Sequence, residues 1–196
     1  MKKTVLFVPG FQEDINSRNY AKTLSAIKDS GYKVEFININ WSRTTVEQWV
    51  HELDQVYEKY DPSDTILAGF SFGAVTAFIA ATKRSPLALW LFSLSPFFSE
   101  DIVSDTFRKS WLKSIGHRRT DSFRKLRFST LVKSVPTNTI FFYGETELKS
   151  WSDIHYRHKI VDKVPNVKET FIPNAKHDVS SDVYIEAIKK ELSSRS

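Results

Sequence analysis

The chain has 196 residues, 41% of them hydrophobic and 26% charged, with a net charge of +5 and no cysteine. A chain of this length buries about 70% of its unfolded surface, enough for one core, and the lack of cysteine excludes disulfides and thiolate metal sites. The apolar stretch behind Met1-Lys2-Lys3 stops at Pro9, short of a signal's hydrophobic core, and no run reaches membrane-span length, so a soluble, cytoplasmic protein is expected.

In chain order, apolar β-rich runs alternate with helical patterns. Strands are predicted at Thr4 to Val8, Lys33 to Ile39, Thr65 to Ala68, Leu87 to Ser93, Thr139 to Tyr143 and Val167 to Ile172. Helices are predicted at Ser17 to Ser30, Thr45 to Tyr60, Ser71 to Arg84, Trp151 to Lys163 and Val179 to Ser194, with Gly31 ending the first. Hydrophobicity in the strands is continuous rather than alternating, which indicates burial on both faces. Intervening helices imply parallel pairing through right-handed crossovers. The expected class is therefore α/β, a compact six-stranded, mostly parallel sheet with helices on both faces. Residues 1–196 show no repeat, low-complexity tract or linker and read as a single domain. A ligand site is expected at the carboxyl ends of the strands.

The third strand runs into Gly69-Phe70-Ser71-Phe72-Gly73, and an apolar helix follows at once. A Gly-x-Ser-x-Gly pentapeptide at a strand-to-helix junction turns so sharply that the serine stands exposed above the sheet, and small residues on both sides are needed where strand and helix meet. Such a serine requires a base and an acid to become a nucleophile. After the fifth strand, Gly144-Glu145-Thr146-Glu147 supplies a carboxylate three residues past the glycine. After the sixth, Pro173-Asn174-Ala175-Lys176-His177-Asp178 supplies a histidine. His51, His117, His155 and His158 fall in helical or inserted segments, which leaves His177 as the base. For the acid, Glu147 is favoured, with Glu145, Glu100 and Asp101 as competitors.

In the order Ser71, Glu147, His177 the chain resembles the α/β-hydrolase superfamily over nearly its whole length, and most resembles its small, lid-poor serine esterases, lipases and thioesterases. The resemblance implies a serine hydrolase cleaving carboxylic esters or thioesters through an acyl-enzyme, without a cofactor or a metal. Glu147 stands where that family more often has aspartate. Pro9-Gly10 stands where many members have His-Gly, in the loop after the first strand that carries half of the oxyanion hole. By analogy the donors are the backbone N–H groups of Phe11 and Phe72. Phe11, Gln12, Phe97 and Phe98 are the candidate substrate-binding residues, although packing is the competing reading for the phenylalanines and solvent exposure for Gln12.

Residues 97–137 interrupt the strand-helix rhythm where α/β-hydrolases commonly insert a cap. This segment holds nine Lys and Arg against four Asp and Glu, a surplus of +5 that equals the net charge of the whole chain. Phe107, Trp111, Leu112, Ile115, Phe123, Leu126 and Leu131 recur at near-helical intervals, so one or two amphipathic helices over the site mouth are expected. The basic residues either solvate the outer face of those helices or attract an anionic substrate or surface. A nucleic-acid partner is not expected, since no recognised motif accompanies the charge, and neither a phosphate-binding loop nor a His-Glu-x-x-His pair occurs. The expected partner is a small-molecule ester or thioester. A non-catalytic binding module on the same fold and an acyltransferase using the same residues remain alternatives.

Overall fold

A computed structural model describes residues 2–17, 20–102, 112–136, 138–150, 155–165 and 167–193 of the chain, with the side chains of 148–150, 155 and 156 left out. The strands are β1 (Thr4–Val8), β2 (Lys33–Phe36), β3 (Thr65–Phe70), β4 (Ala88–Phe92), β5 (Thr139–Gly144) and β6 (Val167–Ile172). The helices are α1 (Tyr20–Asp29), α2 (Val46–Tyr57), α3 (Phe72–Arg84), α4 (Ser99–Ile102), α5 (His117–Arg124), α6 (Phe128–Leu131), α7 (Glu145–Ser150), α8 (His155–Val161) and α9 (Asp182–Ser193).

The six strands form one sheet in the order β2-β1-β3-β4-β5-β6, and every pairing between neighbours is parallel. Successive side chains of a strand point to opposite faces, so the apolar runs of β1, β3, β4 and β5 are each divided between two cores, while the edge strands β2 and β6 are largely half-buried or exposed. Leu6, Val8, Leu67, Leu89, Leu91, Phe141 and Tyr143 pack under α2 and α3 on one face. Val5, Phe7, Ile66, Ala68, Phe70, Trp90, Phe92, Ile140 and Phe142 pack under α1 and α9 on the other. This division explains the continuous hydrophobicity read from the sequence. Helix α3 is buried at every position from Phe72 to Ala81, because it crosses the middle of the sheet and is flanked by α2 and the inserted segment.

After β1 the chain moves outward to β2 and then returns to β3 on the other side of β1. The crevice outside the carboxyl ends of β1 and β3 is therefore the point where strand order reverses, the place such sheets use for ligands. Two sequence expectations shift here. Strand β2 ends at Phe36; the N–H of Ile37 still donates to Phe7 O at 2.8 Å, and Ile37 and Ile39 enter the core beneath α2. The residues after Gly144, where no helix is predicted, form helix α7, which places Glu147 in a first helical turn. Of the helix expected at Trp151 to Lys163, positions 151–154 lie outside the described residues.

The basic segment contributes α4, α5 and α6, while Phe107 and Trp111 lie outside the described residues. Phe123 and Phe128 are fully buried, and Leu112, Leu126 and Leu131 pack partly buried against the same core. Its apolar positions thus join the core beneath α2 and α3, while Lys113, Arg118, Arg124, Lys125, Arg127 and Lys133 face water.

Candidate active site

Ser71 sits between β3 and α3 with φ 58° and ψ −117°, a conformation rare for a residue with a Cβ. Two glycines allow it. A Cβ on Gly69 would overlap the backbone of Gly73 and Ala74, and a Cβ on Gly73 would overlap the carbonyls of Val8 and Pro9. Helix α3 can start directly on the end of β1 only because both positions lack side chains. Gly73→Ala is expected to lower stability by about 3 kcal/mol, the upper range for overpacking where only backbone can give way, as read from a urea denaturation midpoint.

The sheet's hydrogen bonding continues past the strand ends and sets the loops in register. The N–H of Ser71 donates to Phe92 O at 3.0 Å, and the N–H of Ser93 donates to Phe142 O at 2.8 Å. The loop after β6 is tied to the start of α7: the N–H of Thr146 donates to Ala175 O at 3.1 Å, and the N–H of Asn174 donates to the Glu145 carboxylate at 3.1 Å. These ties bring three distant side chains together. His177 Nε2 lies 3.0 Å from Ser71 Oγ, and His177 Nδ1 lies 3.3 Å from Glu147 Oε2. Burial grades along the row, with the Glu147 side chain 2% exposed and that of His177 29% exposed. The Phe70 ring stacks beside the imidazole, with centroids 4.8 Å apart.

The arrangement suits proton transfer. A carboxylate accepting at Nδ1 leaves Nε2 as the unprotonated nitrogen, facing the serine hydroxyl. Glu147 is itself held by two further donors, Ser93 Oγ at 2.6 Å and the N–H of Gly144 at 3.2 Å, both to Oε1. Ser93 has φ 51°, and its Oγ also lies 3.0 Å from the Tyr184 hydroxyl, which donates to Phe142 O at 3.1 Å. Burial pushes the Tyr184 phenol well above its ordinary range, so it stays neutral beside the carboxylate.

The competing acids have other partners. Glu145 receives the N–H of Asn174. Glu100 accepts from the N–H groups of Phe128 and Ser129 at 3.0 and 3.1 Å; burial pushes its carboxyl up, but these bonds and the Ser129 hydroxyl outweigh that and hold it below the ordinary value. Asp101 is fully buried in an ion pair with Arg157. Among the other histidines, His158 Nδ1 lies 2.8 Å from Glu169, and His51 lies 3.2 Å from Gln55.

Phe72 follows the serine in the chain, and its ring and that of Phe11 belong to one aromatic cluster. Phe11 meets Phe72 at 5.4 Å, Trp41 at 5.7 Å and Trp49 at 5.9 Å, while Phe72 meets Phe97 at 4.8 Å and Phe123 at 5.5 Å. The Arg119 guanidinium lies 5.0 Å from the Phe11 ring centroid and donates to the carbonyls of Thr44, Ile115 and Trp41. The loop bearing Phe11 is pinned below by Tyr20, whose hydroxyl accepts the Gly10 N–H at 2.9 Å and donates to Glu13. Gln12 is exposed, with φ 60°. Phe97 is nearly buried on Phe72. Phe98 corrects its expected role: it is fully buried between Phe78 and Phe128 beneath Arg157, a core position with no face for a ligand.

Sequence reasoning passed over Ser93, Ser95, Tyr184 and Arg157. The two serines had a signal, since Ser93-Leu94-Ser95-Pro96 is a polar segment at the carboxyl end of a buried strand. Tyr184 and Arg157 lie on helices at spacings that read as ordinary packing. Among the described residues no group of three His, Asp or Glu side chains is placed to hold a metal ion, and no helix is long and apolar enough to cross a membrane.

No protein-family model matches the chain, and no curated protein sequence does. Solved structures do match. Est1E from Butyrivibrio proteoclasticus, in a complex with ferulic acid, is similar at a TM-score of 0.71 and 12% identity, covering 98% of this chain and 87% of that one. Dienelactone hydrolase from Anabaena variabilis is similar at a TM-score of 0.66 and 16% identity, over 98% of this chain and 84% of that one. A thioesterase domain from the curacin biosynthetic pathway is similar at a TM-score of 0.66 and 14% identity, over 97% of this chain and 90% of that one. At such identities the likeness is one of architecture, and together with the parallel six-stranded sheet it establishes that this chain has the α/β-hydrolase fold.

Proposed function

We propose that the protein is a serine hydrolase that cleaves carboxylic esters or thioesters through Ser71, His177 and Glu147. The observation that carries this reading is the continuous row from Ser71 Oγ to His177 Nε2 at 3.0 Å and from His177 Nδ1 to Glu147 at 3.3 Å. His177 takes the Ser71 proton as Oγ attacks the substrate carbonyl, and Glu147 holds the imidazole tautomer and stabilises the imidazolium. The carbonyl oxygen, now negative, receives the backbone N–H groups of Phe11 and Phe72. Collapse expels the alcohol or thiol with the proton from His177. Water, deprotonated by His177, then attacks the acyl-enzyme and releases the acid.

The similar solved structures include esterases and a thioesterase, which supports hydrolysis as the broad activity. In this reading the basic segment acts as a cap beside the site, the substrate is a small-molecule ester or thioester, and the protein works in the cytoplasm. A fluorophosphonate probe tests the nucleophile: the wild type should be labelled on Ser71, and a folded wild type that resists labelling would sink the proposal. Chromogenic p-nitrophenyl esters of increasing chain length then report the acyl preference.

Glu147→Gln provides a separate check on the acid. The amide retains size and one acceptor but loses the charge facing His177. Its effect on kcat should be roughly 100-fold smaller than that of losing Ser71, as for the acid in another triad enzyme. Glu145→Gln should leave kcat unchanged. The reverse pattern in ester kinetics would move the acid to Glu145.

A further inference from the structure

Ser95 lies outside the row just described, yet its Oγ is 3.0 Å from Ser71 Oγ. The residue is 4% exposed, its N–H faces Ser71 O at 3.5 Å, and its carbonyl accepts the Phe97 N–H at 3.0 Å. Among the described residues its hydroxyl has no other hydrogen-bond partner. The same short segment also places Ser93 Oγ on Glu147, so two hydroxyls two residues apart reach the two ends of the row.

Proton counting fixes the direction of the Ser95 bond. A serine hydroxyl has one hydrogen to give and two lone pairs to receive with. In the state ready for attack the Ser71 hydrogen is directed to His177 Nε2, so the contact between the two serines is satisfied only if Ser95 donates.

We propose that Ser95 is a further catalytic residue, a hydrogen-bond donor to Ser71 Oγ that favours the departure of this oxygen during deacylation. The inference rests on Ser71 being the nucleophile. In deacylation water adds to the acyl carbon and forms a C–O bond, its proton passing to His177. The tetrahedral intermediate then collapses: the bond from carbon to Ser71 Oγ breaks, its electron pair returns to Oγ, and the proton moves from His177 to Oγ. Charge grows on Ser71 Oγ as that bond breaks, and the Ser95 hydroxyl strengthens its bond to it without giving up its own proton. An ester oxygen accepts weakly and an alkoxide strongly, so the contact favours the transition state over the acyl-enzyme. In acylation charge flows away from Oγ, and the same contact gives no comparable help.

The test is pre-steady-state kinetics of p-nitrophenyl butyrate hydrolysis by the wild type, Ser95→Ala and Ser95→Cys, with intact-protein mass read during turnover. Fluorophosphonate labelling of each protein serves as the reference for a working Ser71. Ser95→Ala is expected to label normally and to release a full burst of p-nitrophenol, with steady-state turnover lowered about 100-fold, the lower end of the loss on removing one donor to a developing oxyanion. The butyrylated protein should accumulate. Ser95→Cys, which keeps the packing with a weak S–H donor, should also show a burst with slowed turnover, and it serves should the alanine variant fail to fold. Unchanged turnover in both variants, or a burst and a steady state slowed equally, overturns the inference, since mere packing would affect both steps alike. Absence of labelling in the wild type instead overturns the assignment of Ser71, and the inference with it.

Discussion

Ester turnover in Ser71→Ala should fall by five or more orders of magnitude, and His177→Ala should lose nearly as much. The double variant should then be little worse than either. In the proposed mechanism nucleophile and base act as one unit through the 3.0 Å contact between Oγ and Nε2, so removing either disables the proton transfer on which the other depends. In a comparable triad the two single losses each approach the loss from removing all three residues, about 10⁶ in kcat. What survives comes from the backbone donors and from binding, worth about 10³ to 10⁴ over the uncatalysed reaction. Ester kinetics on the three variants would check this. Simple multiplication of the two single effects would mean that Ser71 and His177 act independently.

The second large effect lies in the buried ion pair. Arg157 and Asp101 are both fully buried, and the guanidinium lies 5.0 Å from the ring centroids of both Phe98 and Phe128. Asp101 also accepts the Phe98 N–H at 2.9 Å, and Arg157 reaches Leu94 O, the carbonyl between the two site serines, at 3.5 Å. The pair thus ties α4 and α8 to the loop after β4. Asp101→Leu leaves a guanidinium charge in the core without its carboxylate and should cost about 3 to 5 kcal/mol. Adding Arg157→Met removes the stranded charge, and most of that loss should return, because replacing a whole buried pair by apolar residues is often neutral. Urea denaturation of the single and double variants reads both numbers. A double variant no better than the single one would assign the cost to lost packing on the phenylalanines.

The parallel sheet was legible because its signal is local. β1 and β6 span the residues predicted for them, and the period-2 split of the runs in β1, β3, β4 and β5 between two cores follows from strand geometry alone. The serine loop was legible because Gly69 and Gly73 are sterically compelled to be glycine by backbone contact. Glu147 and His177 were readable as positions after strands, since parallel sheets gather functional groups at carboxyl ends. What the sequence could not convey were contacts made across the sheet. Ser93 reaches Glu147 across 54 positions and Tyr184 across 91, and nothing in the local pattern of α9 separates Tyr184 from a core tyrosine. Phe98 misled for the opposite reason: it neighbours Phe97 in sequence, but one ring packs on Phe72 beside the site and the other on Phe78 in the core.

The path of the chain through the sheet has a consequence for biosynthesis. Ser71 follows the third strand, Glu147 the fifth and His177 the sixth, and the contact that joins Ser71 to its base spans 106 residues. A chain emerging from the ribosome therefore carries Ser71 long before it carries His177. In the proposed mechanism Ser71 has no base until the last strand pairs at the sheet edge and the loop behind it is tied to α7. In that mechanism ester-cleaving competence waits on the last strand and the loop behind it, so probe labelling doubles as a measure of how far folding has gone.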